Sequence, residues 1–134
     1  MNNIFIQSKD GYRIGHSLID YDHQTIINIT NELFSCVEKG LSPEEISTPI
    51  KYLTDYVEKH FEHEESIFLE TDYPGHKKHM KMQLEIEQVV HGIAAQYTAE
   101  PSAINIDEVL QFLQVWLTKH IMRADRTYMP FIAA

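Results

Sequence analysis

Ile46, Ile50, Leu53, Val57, His60, Glu64 and Ile67 follow one another at spacings of 4, 3, 4, 3, 4 and 3 residues. That alternation is the seam of a helix packed among other helices. It admits few folds, because a single apolar stripe must be covered by partners of the same kind. The seam also constrains chemistry. His60 and Glu64 lie within it, and a polar group carried into a core needs a partner there.

Three further stretches repeat the pattern. Ile19, His23, Ile26, Ile27, Thr30, Leu33, Phe34 and Val37 form a stripe that stops before Gly40, a residue suited to end a helix. His79, Gln83, Ile86, Val90, Ile93 and Tyr97 form another, entered through the turn Tyr73-Pro74-Gly75. Val109, Leu113, Trp116, Leu117, His120, Ala124, Asp125 and Tyr128 form the last, with Asp107 and Glu108 near its start and Pro130 expected to end it. Ser42-Pro43-Glu44-Glu45 has capping-box spacing, and Pro49 predicts a separate or kinked first turn in the second helix. The reading is one all-α domain over residues 1–134, an antiparallel up-down four-helix bundle. Its helices are expected at about 18–39, 43–70, 75–98 and 105–129, after an N-terminal arm over 1–17.

Size and charge exclude several classes. A chain of 134 residues can bury a core without staples, and its single cysteine, Cys36, permits no internal disulfide. A cytoplasmic setting fits that usage. The first ten residues carry no basic segment or long apolar run, so no secretory signal is expected. No stretch is long and apolar enough to span a membrane. A formal charge of −9 argues against nucleic-acid binding.

The core-facing polar residues are His23, His60, Glu64, His79, Gln83, His120 and Asp125. Any one of these histidines alone is more simply a core histidine satisfied by a neighbour. The set is not so easily explained. His60 and Glu64 are four apart and share a helix face, as do His79 and Gln83. His120 and Asp125 are five apart, about 140° around the helix, and both can still reach one centre. Four imidazoles, two carboxylates and an amide exceed the four ligands of a structural zinc. They suit two ions of higher coordination number bridged by carboxylates, with iron or manganese the matching metals.

The pieces Ile19-Asp20-Tyr21-Asp22-His23-Gln24, His60-Phe61-Glu62-His63-Glu64-Glu65, Tyr73-Pro74 and Trp116-Leu117-Thr118-Lys119-His120-Ile121, with Asp125 and Tyr128, resemble the hemerythrin family in its bacterial form. The resemblance spans nearly the whole chain. It implies a non-haem diiron centre bridged by carboxylates and an oxo or hydroxo group. It implies His23 and His60 on the iron that binds O2, His79 and His120 on the other, and Glu64 and Asp125 as bridges. Phe61, Trp116, Leu117 and Ile121 resemble the apolar lining over the O2 site, and Tyr128 a residue hydrogen-bonded beside the ligands. The family has a histidine four residues after the one at 79, and this chain has Gln83. An amide oxygen is a poorer iron ligand than imidazole, so Gln83 is expected to be a weak ligand or none. Water or a small exogenous anion then takes the position, or the second iron is lost.

The expected function is O2 binding in oxygen or redox sensing, alone or fused to a signalling output domain. It needs no substrate turnover, so an enzyme is not expected. A plain O2 carrier or scavenger, a diiron enzyme acting on peroxide or nitric oxide, and a mononuclear or metal-free interaction module stay open beside it. His63 and Glu65 are expected at the solvated edge of their helix, His16 in the arm, His76 in a turn and His91 beyond the site. Cys36 is expected to be ordinary packing.

Overall fold

The computed structural model describes residues 15–119 and 124–132, without the side chains of 117, 118 and 132. The arm over 1–14, His120, Ile121 and the Leu117 side chain therefore lie outside the described residues.

Helix α1 spans Ser17–Glu38, α2 Pro43–Thr71, α3 His76–Ala99 and α4 Ile106–Lys119. A 3-10 turn over Asp125–Tyr128 leads into a short α5, Met129–Ile132. The protein is the all-α bundle that the apolar spacing predicts. α1 packs on α2 and α4, and α2 also packs on α3.

The ends of the helices follow from local chemistry. Gly40 takes φ of +67°, and the Gly40 and Leu41 amides donate back to the Val37 and Cys36 carbonyls, closing α1 with a left-handed cap. At the start of α2, the Ser42 hydroxyl accepts from the Glu45 amide at 3.2 Å while the Glu45 carboxylate accepts from the Ser42 amide at 3.4 Å. α2 then runs through Pro49 as one helix rather than the expected separate first turn. Pro49 is buried beside the seam, and its missing N–H forfeits one backbone hydrogen bond of the helix. Pro130, expected to end the last helix, instead sits in the first turn of α5, where a missing N–H costs nothing. Gly75 is required by the turn before α3. A Cβ there would meet the Tyr73 hydroxyl at 2.5 Å, and that hydroxyl is placed against Thr127 Oγ1 at 2.8 Å.

Two apolar clusters fill the interior. The larger one includes Ile26, Leu33, Ile50, Leu53, Val57, Phe61, Leu113 and Trp116, with Cys36 at its margin. The smaller joins Ile19, Ile67, Phe68, Tyr73 and Tyr128. Between them lie His23 near the start of α1, His60 and Glu64 late in α2, His79 and Gln83 early in α3, and Asp125 beyond α4. Starts and ends alternate along the chain, as antiparallel neighbours require, so the polar residues form one layer enclosed by two apolar ones. Among the described residues, no helix is long and apolar enough to cross a membrane.

Candidate metal centre

α2 supplies the middle of the layer. His60 and Glu64 are one turn apart on its seam, and both are fully buried. The His60 Nε2 lies 3.2 Å from Glu64 Oε1 and 3.5 Å from Asp125 Oδ2. From α1, His23 Nε2 meets the same Asp125 Oδ2 at 2.5 Å. From α3, His79 Nε2 lies 3.2 Å from Asp125 Oδ1 and 3.7 Å from Glu64 Oε2. Each carboxylate therefore turns one oxygen toward His60 and the other toward His79.

The donor atoms form two buried groups within reach of a cation: His23, His60 and Asp125, and Glu64, His79 and Asp125. Asp125 belongs to both. Donors on one ion at ligand distances of about 2.1 Å lie roughly 3 Å apart when adjacent, and most of the separations here are near that. Mixed imidazole and carboxylate donors suit iron, so the residues fit a pair of iron ions that share the Asp125 carboxylate. A third grouping, Glu58, Glu87 and His91, lies on the surface between α2 and α3, with His91 against Glu58 at 3.8 Å.

Gln83 is buried beside this layer. Its Nε2 donates to Glu64 Oε1 at 2.5 Å, so its amide serves the carboxylate. The Tyr128 hydroxyl donates a short hydrogen bond to the other Glu64 oxygen, Oε2. Burial and the neighbouring Asp125 and Glu64 carboxylates push the Tyr128 phenol far above its usual range, so it acts only as a donor. Its ring meets those of Phe68 and His79 edge-on, at 5.0 and 5.4 Å between ring centroids. On the opposite side, Phe61 lies 5.7 Å from the His60 ring and 6.4 Å from Trp116, and both Phe61 and Trp116 are buried.

Asp22 is the principal residue that the sequence pattern did not single out. It is fully buried on α1 and accepts three hydrogen bonds from α2: from Tyr56 Oη at 2.9 Å, His60 Nδ1 at 2.9 Å and His63 Nδ1 at 2.8 Å. Burial disfavours its charge, but the hydrogen bonds from His60 and His63 outweigh this and hold its carboxyl below the usual range. His63 is thus not the solvated residue expected; its side chain is 26% exposed and is tied to Asp22. The available signal was positional. Tyr56, His60 and His63 recur at helical spacing on α2, and Asp22 adjoins His23. Among the described residues, the remaining histidines stay outside the layer: His16 caps α1 with its ring, His76 opens α3, and His91 is exposed. Glu65 is exposed, as expected.

His60 and His79 take protons readily. Burial works against charge on His79, but the nearby Asp125 and Glu64 carboxylates outweigh it and raise its pKa from 6.5 to about 9. The same balance, led by the Glu64 charge, raises His60. A histidine with a raised pKa stabilises the metal-free fold fully below pH 6.5, and that stabilisation is lost as pH rises through about 9. Protons also compete with cations for Nε2. Between pH 6.5 and 9 the metal-free melting temperature is therefore expected to fall while Co2+ affinity rises. Calorimetry across that window checks both, and flat profiles would refute the proton on His79.

Residues 15–132 match the family described as hemerythrin HHE cation binding domain. A bacteriohemerythrin of Methylococcus capsulatus is 28% identical over 115 residues, covering 86% of each chain. One of Clostridium acetobutylicum is 26% identical over 126 residues, covering 90% of this chain and 95% of its own. The crystal structure of a wild-type hemerythrin superposes with a TM-score of 0.87 at 25% identity, over 96% of this chain and 98% of that one. Two buried donor groups sharing a carboxylate, in a bundle of this shape, agree with the sequence match, and the chain belongs to the hemerythrin family of HHE cation binding domains.

Proposed function

We propose that this protein binds O2 at a diiron centre and serves oxygen or redox sensing in the cytoplasm, alone or as the sensory module of a larger signalling protein. In this reading His23 and His60 would hold one iron, His79 and His120 would hold the other, and Glu64 and Asp125 would be shared between them. When bound, the ferrous pair supplies two electrons and an open position for O2.

One observation carries the reading. Glu64 and Asp125 each present one oxygen to His60 and the other to His79, the arrangement two adjacent cations need. The chain's own residues do the rest. Phe61 and Trp116 cover the His60 side with apolar surface that keeps water out. Tyr128 and Gln83 hold the Glu64 carboxylate by its two oxygens. Iron analysis of protein loaded anaerobically with ferrous iron tests the reading. About two irons per chain are expected, as in other four-helix di-iron sites. One or fewer would overturn it.

Gln83 favours sensing over storage. Its amide points its nitrogen at Glu64, so it offers that carboxylate a proton donor and leaves the His79 side one imidazole short of the family pattern. Water or a small anion would complete the coordination on that side and would give solvent a route to the irons. Gln83→His is expected to slow autoxidation of the ferrous form by about tenfold, the scale of effects on metal sites from their supporting residues. Stopped-flow absorbance measures the rate, and an unchanged rate would return the reading to a plain carrier.

A further inference from the structure

The mechanism above leaves one buried charge unused. Asp22 touches no position assigned to a cation, yet it is fully buried and accepts three hydrogen bonds from one face of α2. A carboxylate costs several kcal/mol to bury even after relaxation. Tying α1 to α2 does not demand one, because apolar residues of similar volume do that at lower cost.

Its contacts indicate a more specific task. The bond to Asp22 Oδ2 engages Nδ1 of His60 at 2.9 Å, on the ring edge opposite the Nε2 that faces Glu64 and Asp125. An imidazole that donates through Nδ1 has its Nε2 lone pair free for a cation, and a carboxylate behind it makes that nitrogen more basic. His63 bonds the same Oδ2 at 2.8 Å and Tyr56 donates to Oδ1 at 2.9 Å, so both oxygens of Asp22 are engaged and its orientation is fixed. Asp22 also adds a negative charge on the His60 side of the layer.

We propose that Asp22 is a positioning residue that sets the cation affinity of the His23–His60 half of the centre, by fixing His60 as its Nδ1–H tautomer and strengthening Nε2 as a donor. This rests on the two-cation reading above. It goes beyond it by assigning the strength of one half to a residue that holds no cation.

The test is titration of metal-free protein with Co2+, followed by calorimetry and visible absorption. The wild type is expected to take up two ions in resolvable steps. Asp22→Asn keeps the side-chain size and removes the charge. It is expected to weaken one step by about 10–100-fold and leave the other within about threefold, the range seen when a carboxylate behind a ligating histidine is lost. Two steps unchanged, or two weakened equally, would overturn the proposal, because a merely structural role does not select one half. Fewer than two Co2+ on the wild type would instead overturn the two-cation reading, and this proposal with it. Should Asp22→Asn fail to fold, 15N NMR of the Zn2+-loaded wild type decides. The His60 ring is expected to carry its proton on Nδ1, and a proton on Nε2 would overturn the proposal.

Discussion

Asp125→Asn is expected to empty both halves of the centre, dropping iron from about two per chain to well below one, as the loss of a shared bridging ligand requires. Asp125 is common to both buried donor groups. Its Oδ2 serves His23 and His60, and its Oδ1 serves His79. An asparagine of the same size replaces two anionic oxygens with one neutral oxygen and an NH2 group, which ligates no cation. The fold itself should persist, since the amide still fills the space and can accept from an imidazole. Iron analysis beside far-UV circular dichroism separates the two effects. Retention of two irons by the folded variant would show that Asp125 does not bridge. His23→Ala is the internal contrast, because it touches one group only, and it should cost one iron before it costs the other.

Phe68→Ala is expected to destabilise the metal-free protein by about 3–5 kcal/mol, the range for a fully buried phenylalanine. Phe68 is 2% exposed and forms the centre of the smaller cluster. Its ring packs on Tyr73, His79 and Tyr128 at centroid distances of 5.4, 5.1 and 5.0 Å. The cavity left by truncation would therefore open beneath the His79 ring and beside the Tyr128 hydroxyl that holds Glu64. Urea denaturation measures the stability, and Co2+ titration should show a weakened site in the same variant. A cost below about 1 kcal/mol would mean that the cluster closes over the gap, which the crowding of four aromatic rings argues against. The effect links packing to function. The smaller cluster closes one side of the polar layer, so its loss lets water in from the end opposite Phe61.

Periodicity was enough to read the helices and the layer between them. Apolar residues recurring every three or four positions place each helix, and polar residues interrupting the same stripe mark the level where the chemistry sits. His23, His60, Glu64, His79, Gln83 and Asp125 were legible this way because facing the core is a property of one helix at a time. The winding of the last stretch was not. A single helix to 129 was expected, and Asp125 to Tyr128 instead form a 3-10 turn, which sets the directions of Asp125 and Tyr128.

Contacts across helices escape any local pattern. Asp22 and His63 are 41 residues apart, and Gln83 and Glu64 are 19 apart. Nothing in either segment states that these side chains meet. His63 looks solvated on the wheel of α2, yet α1 lies against that edge and presents Asp22 to it. Gln83 looks like a weak ligand by its position after His79, yet the approach of α2 to α3 gives its amide a carboxylate to serve. The spacing of residues along each helix follows from the fixed rise and turn of the backbone and is written in the chain. Which groups bond across the gap depends on the axial register and rotation of neighbouring helices, and those are set by how two apolar clusters pack on either side of the polar layer.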